Sequence, residues 1–100
     1  MQRFEWDLRK ERINKKKHGF GFELAASAFD DPYLLLEDDR EVDGEERTRA
    51  KGVAGDAVLL LVAHTVRYED NEEAVIRIIS ARKADKRERQ RYGESLSRST

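Results

Sequence analysis

The stretch from Ala57 to Arg82 constrains the fold of this chain more than any other. Ala57–Val66 is a continuous apolar run, Tyr68–Glu73 (YEDNEE) is a polar break, and Ala74–Arg82 is rich in isoleucine and valine. Runs of this length and β-branched content, bounded by turn-forming residues, read as strands, and the short polar link makes them a hairpin. The uninterrupted apolar run marks Ala57–Val66 as the central strand of a sheet.

The rest of the chain is read around that hairpin. Arg47–Gly52 alternates, with Arg47, Arg49 and Lys51 on one side and Thr48, Ala50 and Gly52 on the other, the pattern of a half-exposed strand. Gly55-Asp56 supplies the next turn, and Tyr33–Leu36 reads as a short buried strand. Between them lies the acidic stretch Asp38–Glu46, with Asp43-Gly44 as its turn. Toward the N-terminus, Arg3–Trp6 is a short opening strand and Asp7 stands where a helix cap would. Leu8–His18 are mostly good helix formers, stopped by Gly19. Trp6, Lys10, Ile13 and Lys17 form one stripe with Asn14 beside it, a mixed apolar and cationic face. Phe22, Ala25, Ala26 and Phe29 follow helical spacing, so Phe22–Phe29 is a short core helix that ends before Pro32. Phe22, Phe29 and Trp6 are assigned to the core. Lys83 to about Ser95 is a charged helix, and residues 96–100 are expected to fray. The order β-α-α-β-β-β-β-α predicts one α+β domain over residues 1–95: an antiparallel sheet carrying two N-terminal helices and one C-terminal helix.

Composition narrows the function classes. The chain has no cysteine, which excludes disulfides and thiolate metal sites. No apolar run is long enough to span a bilayer, and MQRFEWD is not a signal peptide, so a cytoplasmic protein is expected. The net charge of −1 hides segregation: residues 1–20 carry seven basic and three acidic side chains, residues 21–46 one and ten, residues 47–100 twelve and eight. That pattern is either a solvated surface or separate faces for RNA and for a basic partner.

Phosphate-loop, dinucleotide-binding and zinc-protease motifs are absent, and His18 and His64 are too few for a histidine metal site, so no cofactor or metal is expected. Arg, Lys, His, Glu and Tyr remain, a set suited to metal-free RNA cleavage. That reaction needs a base for the 2′-hydroxyl, cations for the phosphorane and an acid for the leaving 5′-oxygen. Three places supply such groups. Lys17-His18 ends the first helix, where simple dipole compensation is the alternative role. His64–Arg67 (HTVR) ends the central strand, with His64 facing away from Arg67. In Ile76–Tyr92, alternation puts Arg77 on one face with Val75, Ile79 and Ala81, and Arg82 on the other with Ile76, Ile78 and Ser80. Arg77 is either an internal ion-pair partner or a phosphate ligand. Asp85, Glu88 and Tyr92 share a face of the last helix, where Glu88 and Tyr92 serve as base and acid or as ordinary surface pairs.

Trp6, Asp7, Lys10, Asn14, Lys17, His18, Gly19, Phe22 and Ala25, followed by Phe29–Pro32, form one motif. Arg77–Arg82 (RIISAR) with Glu88, Arg89 and Tyr92 forms a second, joined by looser matches at Glu46-Arg47, Gly52, Thr65 and Arg67. Over residues 4–92 the chain resembles the BrnT family, toxins of bacterial type II toxin–antitoxin pairs. The resemblance implies a RelE-like fold and an endoribonuclease that needs no metal and halts translation. It also implies a BrnA-like antitoxin that neutralises it, in a heterotetramer whose DNA contacts belong to the antitoxin. On that basis Arg67, Arg77 and Arg82 hold the phosphate, while Lys17, His18, Glu88 or Tyr92 move protons. Two other readings compete: a non-catalytic antitoxin-binding co-repressor, and an RNA-binding domain without cleavage, against which the sparse aromatics count. The acidic stretch Glu37–Glu46 is either a dock for a basic antitoxin segment or the mark of a weak or inactive nuclease.

Overall fold

The computed structural model describes residues 2–42 and 44–98. Its elements are β1 (Gln2–Trp6), α1 (Leu8–His18), α2 (Phe22–Ser27) with a 3-10 turn at Ala28–Asp30, β2 (Leu35–Val42), β3 (Glu45–Val53), β4 (Leu59–Tyr68), β5 (Ala74–Lys83) and α3 (Lys86–Arg98). The α+β class and the element order agree with the sequence reading. The five strands form one sheet ordered β1-β5-β4-β3-β2. Three hairpins make β2 to β5 antiparallel, whereas β1 lies parallel to β5. The sheet foreseen as antiparallel is therefore mixed, because β1 reaches its neighbour by a crossover through the whole chain and not by a hairpin.

Local signals set the N-terminal elements. The Asp7 carboxylate accepts from the amides of Arg9 and Lys10 at 2.8 and 3.2 Å, satisfying free donors of the first turn. Gly19 closes α1 at φ 87°, a left-handed conformation that costs glycine little. Glu11 then reaches across to the Phe22 amide at 2.8 Å and caps α2, whose own cap position is glycine. Along the outer edge of β5, where β1 ends, α1 takes the place of a strand: buried Asn14 accepts from the Ala81 amide at 3.0 Å.

The core lies between the sheet and α2 with its 3-10 turn. Phe22, Ala25 and Ala28 pack on Ala50, Leu60, Val62, Ile76, Ile78 and Ala81, with Phe4, Trp6 and Phe29 at its margin. Gly52 permits the closest approach, since a Cβ there would meet the Ala28 carbonyl oxygen at 2.4 Å.

Three expectations are corrected. The strand foreseen at Tyr33–Leu36 begins at Leu35 and runs through the acids to Val42, and it is an edge, with Leu36 56% exposed. Asp43, half of the foreseen turn, lies outside the described residues. Lys51, expected on a half-exposed strand, is 1% exposed, paired with Glu37 and close to Glu88 of α3, whose Arg91 shares Glu37. Finally, β5 continues to Lys83 and α3 starts later and ends later, at Arg98. Its start is set by a reciprocal capping box in which the Glu88 amide donates to Asp85 and the Asp85 amide to Glu88, each at 2.8 Å.

Candidate active site on a cationic sheet face

Strand register decides which side chains meet. Directly paired residues point to the same side, so Thr65↔Arg77, Ala63↔Ser80 and Leu61↔Arg82 share one face with Arg67. Simple alternation predicted Arg77 and Arg82 on opposite faces. That expectation is overturned by a bulge: His64 pairs with Ile78 and Ala63 with Ser80, leaving Ile79 as an extra residue that shifts everything after it by one. Ala81 consequently turns into the core, and Arg82 comes round beside Arg77. On β3, Arg49↔Ala63 and Lys51↔Leu61 add Arg49 and Lys51 to this face, with Arg47 two residues before Arg49. The face away from α2 thus carries small residues, Ala63, Thr65 and Ser80, among Arg47, Arg49, Arg67, Arg77, Arg82 and Lys51, with Arg3 beyond them on β1.

Three arginines named from sequence share this face but not one point. Arg67 and Leu61 are six residues apart on β4, so Arg67 and Arg82 stand roughly 20 Å from each other along the sheet. At one end, Arg67 and Arg77 share the Glu5 carboxylate: Arg67 grips both oxygens, and Arg77 donates at 3.4 Å. Arg67 also donates to Glu69 at 2.9 Å. Hydrogen bonds from Arg67, and then from Arg77, hold the Glu5 carboxyl below its ordinary range against slight desolvation.

At the other end, Arg82 clasps Glu88 of α3 in a two-pronged pair at 2.7 and 2.9 Å. That clasp lowers the Glu88 pKa first and the Asp85 amide adds to it, so the buried carboxylate is ionised at neutral pH. Of about four acceptor positions on a carboxylate, these bonds use three. Nearby, buried Lys51 pairs with Glu37, which also pairs with Arg91 of α3. Arg47 and Arg49 differ from the other arginines: the inner Nε of each is buried with no hydrogen-bond partner among the described residues. Sequence reasoning placed Arg47, Arg49 and Lys51 on one face but did not see that the face is shared with Arg77 and Arg82.

The remaining candidates separate. Lys17 and His18 line a shallow groove with Lys10, Asn14, Ile79 and Ser80, which brings the end of α1 to the edge of the cationic face at the bulge. The Tyr92 hydroxyl donates to Asp31, which also accepts from the Val53 amide at the end of β3. Burial raises the Tyr92 pKa, and Asp31 raises it further. Burial works against the Asp31 charge, but bonds from Tyr92, the Val53 amide and the Tyr33 amide outweigh it. His64 points away from Arg67, as expected. It is 2% exposed under Phe29, with ring centroids 4.9 Å apart, and burial lowers its pKa. Among the described residues no three His, Asp or Glu side chains are gathered as metal ligands, and no helix is long and apolar enough to cross a membrane.

A fixed carboxylate, an arginine clasp and further cations over a floor of small side chains suit a phosphodiester substrate. Comparisons with known proteins bear on the family and the fold. A family described as "Ribonuclease toxin, BrnT, of type II toxin-antitoxin system" matches residues 6–88. The chain is similar in fold to the crystallised Brucella abortus ribonuclease toxin, BrnT, at 22% identity and a TM-score of 0.50, over 86% of this chain and 99% of that one. No curated protein sequence matches it. The match over residues 6–88 places this chain in the BrnT family of type II toxin–antitoxin ribonuclease toxins.

Proposed function

We propose that the chain is a metal-independent endoribonuclease that halts translation in the cytoplasm and is neutralised by a BrnA-like antitoxin. The observation that carries this reading is the Arg82–Glu88 clasp opening onto a cationic sheet face. RNA lies across β3, β4 and β5, with backbone phosphates met by Arg47, Arg49, Arg67 and Arg77. Glu88, ionised and with one acceptor position free, takes the 2′-hydroxyl proton. The 2′-oxygen bonds to phosphorus and the bond to the 5′-oxygen breaks, leaving a 2′,3′-cyclic phosphate. Arg82 and Arg49 neutralise the phosphorane, which gives fixed cations the part a metal plays elsewhere. Lys17 or His18, across Ser80 from the clasp, returns a proton to the 5′-oxygen. Tyr92 has its hydroxyl committed to Asp31, and its role is to tether α3.

The non-catalytic co-repressor reading draws on a different observation: Arg67, Arg77 and Arg82 all have internal carboxylate partners. One experiment separates the two. The purified chain is incubated with single-stranded RNA in excess EDTA, beside Glu88→Gln, and the product ends are identified. Cyclic-phosphate ends from the wild type, with a rate about 100-fold lower or worse in Glu88→Gln, support the reading. Intact RNA with folded protein favours the co-repressor, and cleavage abolished by EDTA overturns metal independence.

A further inference from the structure

The helix layer does not cover its whole side of the sheet. Past Phe29, whose ring closes over His64, the sheet continues bare: Leu36 is 56% exposed, Val66 43% and Tyr68 74%. Register puts these on the side opposite the arginines, since Leu36↔Ala50 and Ala50↔Val62 carry the core side across β2, β3 and β4, where Val66 follows Val62 on the same side. Phe29, Leu34, Leu36, His64, Val66 and Tyr68 line one shallow groove here, with Gln2, Ala74 and Ile76 at its edge. Three large apolar side chains lining one groove on one sheet side are more than scattered surface residues.

Among the described side chains, those at the two ends of this shelf are acidic. Asp38 pairs with Thr48, which pairs with His64, so Asp38 stands on the shelf side; Glu41 and Glu46, paired with each other, follow on the same side. At the far end, exposed Asp70 and Glu72 sit in the turn after Tyr68. We propose that this shelf is the docking surface for the antitoxin, and that the docking segment is apolar on one side and rich in lysine and arginine on the other. Apolar contact with Leu36, Val66 and Tyr68 supplies affinity, and the acidic rim selects a basic partner and speeds encounter. The antitoxin therefore grips the toxin on the side opposite its RNA face. This rests on the chain's being the toxin of a pair, so the test reads toxicity and binding separately.

The test induces wild type, Leu36→Lys/Val66→Lys and Asp38→Lys/Glu46→Lys, each alone and with a co-expressed BrnA-like antitoxin protein. Affinity for that protein is measured in parallel on the folded Glu88→Gln background. The shelf variant is expected to arrest growth as wild type does, to resist rescue, and to bind at least about 30-fold more weakly. The rim variant, all surface charge and safe for folding, is expected to bind more weakly by a factor that shrinks as salt rises. Full rescue and unchanged affinity in both variants would overturn the proposal. So would a shelf that instead holds a second copy of this chain, seen as a dimer that the shelf substitutions dissolve. Absence of arrest by wild type would sink the toxin reading while the affinities still decide the docking surface.

Discussion

Removing the Arg82 guanidinium should destabilise the protein by an amount that depends on pH. Glu88 is 10% exposed and accepts from Arg82 at 2.7 and 2.9 Å and from the Asp85 amide at 2.8 Å. Breaking a fully buried pair costs about 3–5 kcal/mol. Arg82, however, is 37% exposed, so solvent screens the pair and about 1–2 kcal/mol is expected. For a chain of this size each kcal/mol shifts the Tm by about 4–8 °C, so Arg82→Ala should melt roughly 5–15 °C below wild type at pH 7. The sign of the pH effect follows from Glu88, whose folded pKa lies below its unfolded value near 4.5. Its contribution is fully present above that unfolded value and is lost as pH falls through the lower folded value. The gap between wild type and Arg82→Ala should therefore hold from pH 7 to pH 5 and close in stronger acid. Denaturant melts at pH 7, 5 and 3 measure it, and a gap that stays constant to pH 3 would refute the pair as its source. Glu88→Gln separates scaffold from chemistry. Glutamine still accepts from the Asp85 amide in the capping box, so it should keep most of the stability while losing cleavage.

Three further outcomes are expected. Gly52→Ala places a Cβ 2.4 Å from the Ala28 carbonyl oxygen and 2.8 Å from Leu34; the backbone oxygen cannot swing aside, so a loss of about 1–3 kcal/mol in chemical denaturation follows, and unchanged stability would mean the helix layer sits farther out. Arg67→Ala and Arg77→Ala should weaken single-stranded RNA binding and lower the slope of log affinity against log salt by about 0.7 each, with stability nearly unaltered because their pairs are exposed; an unchanged slope would place RNA elsewhere. Tyr92→Phe should cost about 1 kcal/mol of stability through the lost bond to Asp31 and leave the cleavage rate within about threefold, whereas a hundredfold loss in a folded variant would restore Tyr92 as the acid.

Local chemistry was legible in the sequence and long-range pairing was not. Asp7 and Gly19 bracket α1 because cap geometry is decided within a few residues, and the YEDNEE hairpin follows from composition alone. The bulge escaped because Ile79 is an ordinary strand residue; nothing in RIISAR marks which position is extra, yet that position carries Arg82 to the face of Arg77. The Asp85–Glu88 box was visible as an acid pair three apart, but shared-face reasoning gave it no direction. Glu5 could not be assigned to Arg67 and Arg77, nor Lys51 to Glu37, since each partner is supplied by strand order. Lys51 looked exposed for the same reason: Glu37 and Glu88, the acids beside it, come from other elements.

Strand order also separates the charges of a chain of net charge −1 as the proposed RNA binding requires. The cations Arg47, Arg49, Arg67, Arg77 and Arg82 lie on one side of the sheet, while Asp38, Glu41 and Glu46 lie on the other. A sheet with its side chains is about 10 Å thick, and the Debye length is about 8 Å at physiological salt. RNA docked on the cationic side, as proposed, would therefore feel mainly that side. At 0.01 M salt the Debye length grows to about 30 Å, and the far acids come into range. Log affinity against log salt should then flatten at low salt instead of rising steadily. Asp38→Asn/Glu41→Gln/Glu46→Gln should restore the steep rise below about 0.02 M while leaving affinity at 0.15 M within about twofold. Filter binding of a short single-stranded RNA across that range measures both. A straight line for the wild type, or an equal gain from the triple variant at every salt concentration, would mean that the acids share a surface with the RNA and that the sheet does not divide the two.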